Sequence, residues 1–172
     1  MKGLILIGGG GHCRSCIDVI ERHGEFRIIG ILDNHLKIGT SILDYEIVGN
    51  DGNIKDFTQK AMGFMITIGQ MKTAETRMTI FNRLKNLRAK ISTIISPLAY
   101  VSRHASIGEG TIVMHHALIN ANARVGKNCI INSKALIEHD AVVADHCHIS
   151  TAAIVNGGAK IKESSFVGSN SV

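Results

Sequence analysis

Two hydrophobic patterns divide the chain. From Ile95 onward apolar positions recur every six residues. The first residue of each hexad is Ile or Val thirteen times in succession, from Ile95, Val101 and Ile107 to Ile161 and Val167. The fifth is small thirteen times, from Ala99 and Ala105 to Ser165 and Ser171. A period of six fits neither a 3.6-residue helix nor a simple alternating strand. It fits a short strand and a corner, repeated, with one branched residue pointing inward and one small residue inside each corner. Three such sides close a coil of eighteen residues, and stacked coils pair as parallel strands about 4.8 Å apart. Val113, Ile131, Ile149 and Val167 then stack. The pattern predicts a left-handed parallel β-helix of triangular section.

Before Ile95 the pattern alternates between buried runs and amphipathic stretches. Lys2–Ile7 reads as a buried strand ending in Gly8-Gly9-Gly10-Gly11-His12. A helix is predicted from about Cys13 to His23, with Gly24 as its stop signal. Arg27–Leu32 is a second strand, ending at Asp33-Asn34. Glu46–Val48 is a short strand, and Gly63–Ile68 is a third long one ending at Gly69. Thr73–Arg88 is a helix with Met78, Ile80, Phe81, Leu84 and Leu87 apolar, and Ile91–Ile95 is a short strand before the only proline, Pro97. This order is half of a doubly wound α/β fold. Two domains are expected: a Rossmann-like unit over 1–92 and the β-helix over 93–172.

Composition adds little and excludes more. The 172 residues are 45% hydrophobic and only 4% aromatic, so Ile, Val, Ala and Gly must carry the core. The net charge of +5 comes without a run of basic residues, which argues against a nucleic-acid-binding arm and suits a polyanionic small molecule. No signal peptide or membrane span is visible, so a cytoplasmic location is expected. Cys129 and Cys147 are eighteen apart at core positions and should stack as reduced small residues; a bridge between them is the alternative. Cys13 and Cys16 have redox-motif spacing but lack the rest of a thioredoxin pattern.

Two constellations carry candidate chemistry. Glycines between a first strand and a helix let backbone N–H groups approach a phosphate, with His12 at the mouth, Asp33 after the second strand and Gly69 after the third. Gly8-x-Gly10 fits the dinucleotide fingerprint, but its third glycine position is Cys13, so a mononucleotide fits better. The basic residues Lys72, Arg77, Arg83, Lys85 and Arg88 read as a solvated helix face. In the β-helix, His139 is flanked by Glu138 and Asp140. A carboxylate beside an imidazole raises its basicity and fixes its tautomer. His139 is third in its hexad, so it should project outward, stacked between Ala121 and Gly157. Those small neighbours leave room for a ligand beside the ring, and Gly157-Gly158 lets a backbone N–H face it.

These residues resemble a known family. The run Ile7 to His12, then Gly30-Ile31-Leu32-Asp33-Asn34, Ile68-Gly69, Ile95-Ser96-Pro97, Asn132 to Asp140, Cys147-His148-Ile149 and Gly157-Gly158 are similar to the hexapeptide-repeat sugar acetyltransferases. A close group is the nucleotide-sugar N-acetyltransferases and sialic acid O-acetyltransferases of PglD/NeuD type. The resemblance implies that His139 is the general base and Asp140 the acid that tunes it. It implies that His148 and Gly157 contact acetyl-CoA, and that Gly10, Gly11, His12, Asp33, Asn34 and Gly69 line the sugar-nucleotide pocket. It further implies a homotrimer with sites between chains, no metal, and direct attack of an amine on the thioester. Members usually write a Gly-Asp-Asn type sequence after the third strand, where this chain has Gly69-Gln70-Met71. They also tend to continue for further coils. The alternatives are O-acetylation of a sialic-acid-type sugar, a non-catalytic nucleotide-sugar-binding trimer, and a zinc enzyme of γ-carbonic anhydrase type using His146-x-His148.

Overall fold

The computed structural model describes residues 1–61 and 63–172. Its first half is a five-stranded sheet flanked by helices. Strand β1 (Lys2–Ile7) lies between β2 (Phe26–Leu32) and β5 (Gly63–Ile66), β4 (Tyr45–Gly49) pairs parallel with β2, and β3 (Ser41–Ile42) forms an antiparallel edge. Helix α1 (Gly11–His23) follows β1, α2 (Ile54–Phe57) follows β4, and α3 (Glu75–Asn86) follows β5. β1 reads as a continuous apolar run because both faces of this parallel sheet are covered; Leu4 to Ile7 are fully buried. Gly24 ends α1 in the left-handed conformation, with its N–H on the Ile20 carbonyl.

Strand β5 stops at Ile66 rather than Ile68. The Thr67 hydroxyl turns onto the Gly8 carbonyl at 2.6 Å, and the carbonyls of Ile66 and Ile68 accept from Arg77 instead of from a neighbouring strand. The expected strand Ile91–Ile95 is two pieces. Ile91 bridges Phe64 of the first sheet, while β6 (Ile94–Ile95) pairs with β9 (Ile112–Val113) in the solenoid. The chain therefore changes sheets across Ser92 and Thr93.

The second half is the predicted solenoid. Thirteen two-residue strands run from β6 to β18 (Phe166–Val167) at a spacing of six, and the leading Ile or Val of every hexad is the second residue of its strand. Residues eighteen apart pair in parallel, as Val113 with Ile131 and Ile131 with Ile149. Every third strand joins the same sheet, giving three faces. The leading residues and the small fifth residues form one core in which Ala117, Ala123, Cys129, Ala135, Ala141, Cys147 and Ala153 are buried. All four cysteines are free and buried.

The fourth residue of each hexad from Gly110 to Asn170 has positive φ, eleven corners in succession. Left-handed backbone turns the chain at each corner, and Gly, Asn and Asp occupy six of these sites, as their tolerance of that region predicts.

The halves share a core. Ile94, Ile112 and Ile130 point outward from one solenoid face and pack in one cluster with Cys13, Cys16, Ile17 and Ile20 of α1. His115 pins the joint: its Nε2 donates to Asp18 of α1 at 2.9 Å, and its Nδ1 accepts from the Ser96 hydroxyl at 2.6 Å. Ser96 is only 1% exposed, so this Ser–His–Asp line is closed to substrate. Among the described residues no helix is long and apolar enough to cross a membrane.

Candidate functional site

A cleft of about 540 Å³ opens at the C-terminal ends of β1, β2 and β5, where the strand order reverses. Gly10, Gly11, His12, Asp33, Asn34 and Gly69 all line it, joined by Asp51, Met71, Thr76 and, from the solenoid, His148. Gly10 is the N-cap of α1 and supplies no side-chain cap, so first-turn N–H groups face the cleft. A Cβ on Gly10 or Gly11 would meet nothing within 4 Å. Protein packing does not require glycine there, and the space beside them is open to a ligand. Gly8 differs: it has φ of +104°, and a Cβ would sit 2.3 Å from the Ile68 side chain.

Asp33 holds the glycine loop. Its Oδ2 accepts from the Gly9 N–H at 2.7 Å, and its Oδ1 accepts from the N–H groups of His35 and Leu36. Burial works to raise its pKa, but these three donors outweigh it and hold the carboxyl below its ordinary value. Asn34 exchanges two hydrogen bonds with Asp51, fixing that wall. His12 places Nε2 in the interior without a partner. Burial first, then the charge of Arg77, pushes its pKa down to about 4, so the ring is neutral at pH 7.

Arg77 corrects the expectation of a solvated basic face. It is 1% exposed. Its guanidinium donates to the carbonyls of Ile66 and Ile68 and to both the carbonyl and Oδ1 of Asn128. The signal available in the sequence was its neighbours, Ile80, Phe81 and Leu84, which place it on the apolar side of α3.

His148 lies under the Rossmann-like unit rather than at an open corner. Its Nδ1 donates to the Gln70 carbonyl at 2.6 Å, its Nε2 accepts from Asn132 at 3.2 Å, and Phe166 packs edge-on at 5.1 Å. Burial lowers its pKa, so it too is neutral. His146 is buried, with Nδ1 against Asn128 and its ring edge-on to Phe81. The histidine pair that a zinc site would need is thus engaged in joining the two halves. Cys13 is also internal, and burial raises its thiol to about 11.

The second constellation stands apart from the cleft. His139 follows β13 (Leu136–Ile137) with its side chain 64% exposed. Its Nδ1 donates to Asp140 Oδ2 at 2.8 Å, which leaves Nε2 with its lone pair facing outward. Asp140 Oδ1 in turn accepts from Asn122 one coil earlier. The hydrogen bond to Asp140 raises the His139 pKa, and the same bond, then that from Asn122, lowers the Asp140 pKa. Glu138 is held by Asn120 and by the His139 N–H.

Gly157 lies directly against the imidazole. A Cβ there would stand 2.9 Å from both Cε1 and Nε2 of His139. The expected room beside the ring is therefore a close contact on the Gly157 side. The Gly158 N–H donates to the His139 carbonyl, while the Gly157 N–H makes no hydrogen bond among the described residues.

Residues 3–84 match the family described as the PglD N-terminal domain. Over 116 residues the chain is 31% identical to the UDP-N-acetylbacillosamine N-acetyltransferase of Bacillus subtilis, a match covering 66% of this chain. It spans about half, 52%, of that relative's length. The whole fold is similar to the acetyltransferase domain of PglB from Neisseria gonorrhoeae, solved with acetyl coenzyme A (TM-score 0.79, 23% identity, 98% of this chain and 86% of that one). It is also similar to PerB from Caulobacter crescentus, solved with CoA and GDP-perosamine (TM-score 0.72, 20% identity, 98% and 92%). Both likenesses show the shared fold, an α/β unit followed by a β-helix.

Proposed function

We infer that this protein transfers the acetyl group of acetyl-CoA to an amino group of a nucleotide-activated amino sugar. The observation that carries this reading is the His139–Asp140 pair. Nδ1 is committed to the carboxylate, and the more basic Nε2 is open at a corner floored by Gly157. In the reaction the neutral amine attacks the thioester carbonyl, forming the N–C bond. His139 Nε2 takes the amine proton, a step typically worth about 10²–10⁴-fold. The Gly157 N–H faces the tetrahedral oxyanion. Collapse breaks the C–S bond, and the thiolate of CoA leaves with the proton from the imidazolium.

The cleft suits the nucleotide: first-turn N–H groups of α1 and the open Gly10–Gly11 backbone favour a diphosphate. Names borne by relatives agree in kind: one acts on a UDP-sugar, one is bound to GDP-perosamine. Because the cleft does not include His139, Asp140 or Gly157, a second chain is needed to bring the acceptor to the base. The solenoid face bearing Tyr100, Leu118, Leu136 and Ile154 as its outward residues is apolar and adjoins the His139 corner. A homotrimer packed on that face closes the site.

The test is release of free thiol from acetyl-CoA, with UDP- and GDP-linked 4-amino sugars and a sialic acid offered in turn. Amino-sugar-dependent release that falls at least about 100-fold in His139→Ala supports the reading. Full turnover in that variant removes the proposed base, and release only with the sialic acid reassigns the acceptor.

A further inference from the structure

We propose that Arg77 is a positioning residue for the cleft, setting the Ile68–Met71 wall against the solenoid. The inference rests on the function above for its kinetic readout only. A guanidinium buried without a carboxylate is unusual, since burial of a charge is costly unless it is well hydrogen-bonded. Here four hydrogen bonds to Ile66, Ile68 and Asn128 hold its two terminal nitrogens, and each spans the joint or the end of β5, while Nε is buried with no partner among the described residues.

From Asn128 the contacts continue as a closed path. The Asn128 amide meets His146 Nδ1 at 2.9 Å, and the His146 carbonyl accepts from Gln70 Nε2 at 3.0 Å. The Gln70 carbonyl accepts from His148 Nδ1 at 2.6 Å. Gln70 is 2% exposed, so its side chain serves the joint, and the next residue, Met71, is left 79% exposed on the cleft rim. The path also fixes the His148 tautomer. Asn132 Oδ1 accepts from the Ser133 N–H, so the Asn132 amino group faces His148 Nε2, and Nδ1 must carry the proton. Arg77 touches no ligand space itself; it acts through the loop that does.

Asn128→Gly tests this without straining the corner. Asn128 has φ of 52°, which glycine adopts freely, and the change removes the side-chain partner of both Arg77 and His146. Arg77→Lys keeps the charge but not the fork. Val125→Ala, in the solenoid core away from the joint, is a control for lost stability. The expected result is an acceptor KM raised about tenfold in Asn128→Gly, with the acetyl-CoA KM within about twofold and the control unchanged in both. Imidazole nitrogen NMR should show His148 as the Nδ1–H tautomer in the wild type and shifted or averaged in the variant. That spectrum needs no turnover. If the wild type transfers no acetyl group, the function fails while the spectrum still decides the positioning. Unchanged His148 signals and an unchanged acceptor KM in Asn128→Gly overturn the proposal, even if Arg77→Lys does not fold.

Discussion

Gly157→Ala isolates the geometry of the His139 corner. Gly157 does not have positive φ, so alanine is accepted by the backbone, and any effect comes from one methyl group. That methyl would lie 2.9 Å from Cε1 and Nε2 of the imidazole, where ordinary contact begins near 3.4 Å. The ring is exposed and yields more easily than the coil beneath it, so it must move by roughly half an ångström or more. The Nδ1–Asp140 bond at 2.8 Å and the outward direction of Nε2 are both set by the present ring position. A displacement of about 1 Å in a catalytic group costs on the order of 10²-fold. The expected result is kcat down about 10- to 100-fold in the thiol-release assay, with Tm changed by no more than about 2 °C. A second readout is titration of His139 by NMR. Its pKa, raised in the wild type chiefly by Asp140, should fall towards the ordinary histidine value. Unchanged kcat together with an unchanged His139 titration would falsify the account of Gly157 as the floor of the imidazole.

Three further outcomes follow from the same contacts. Asp140→Asn removes the main cause of the raised His139 pKa; since the base must be neutral, the acid limb of the pH–rate profile should move to lower pH while the plateau rate falls, and a limb that stays put counts against Asp140 as the tuning group. Asp33→Asn replaces one of the two oxygens that accept from Gly9, His35 and Leu36; because Asp33 is only partly buried, the loss at pH 7 should be about 1 kcal/mol rather than more. A carboxyl with a lowered folded pKa stabilises above its unfolded value near 3.8 and loses that contribution as pH falls through the folded value, so urea melts of the two proteins should converge as the pH is lowered below 3.8. Ala152 sits in the left-handed region at φ of 55°, where asparagine occurs at equivalent corners; Ala152→Asn should stabilise by about 0.5–1 kcal/mol, and a lowered denaturation midpoint contradicts that.

The solenoid was legible in the sequence almost residue by residue, because its two rules are steric and local. A branched residue fills each inward site and a small one fits each corner, so thirteen repeats of both specify register and face together. Gly10, Gly11, His12, Asp33, Asn34 and Gly69 were also legible, since strand ends of an open α/β sheet converge on one crevice. Arg77 and Gln70 were not. Their burial depends on contacts with Asn128 and His146, residues 51 and 76 positions away, and no local pattern encodes that pairing. His148 was expected as a coenzyme contact from the resemblance alone; it lies on the cleft, and its two nitrogens face protein partners that only the joint supplies.

The sixth residue of each hexad carries the information that the first and fifth do not. It points outward, and every third one shares a face. One series is Ile94, Ile112, Ile130, His148 and Phe166, and α1 covers its three isoleucines. A second is Ser106, Arg124, Val142 and Lys160, mixed and largely polar. The third is Tyr100, Leu118, Leu136 and Ile154, apolar and without a partner element among the described residues. A monomeric solenoid gains nothing from such a face, and large exposed apolar patches mark interaction sites. His139 stands at the corner where that third face ends, while the cleft lies on the first. The two constellations are therefore held on different sides of one prism. In the proposed trimer a closed ring of copies would bring His139 of one chain to the cleft of the next, so disrupting the Leu118–Leu136 face with aspartates should abolish turnover and lower the mass in solution together. Loss of assembly with full turnover retained would mean that one chain completes the site alone.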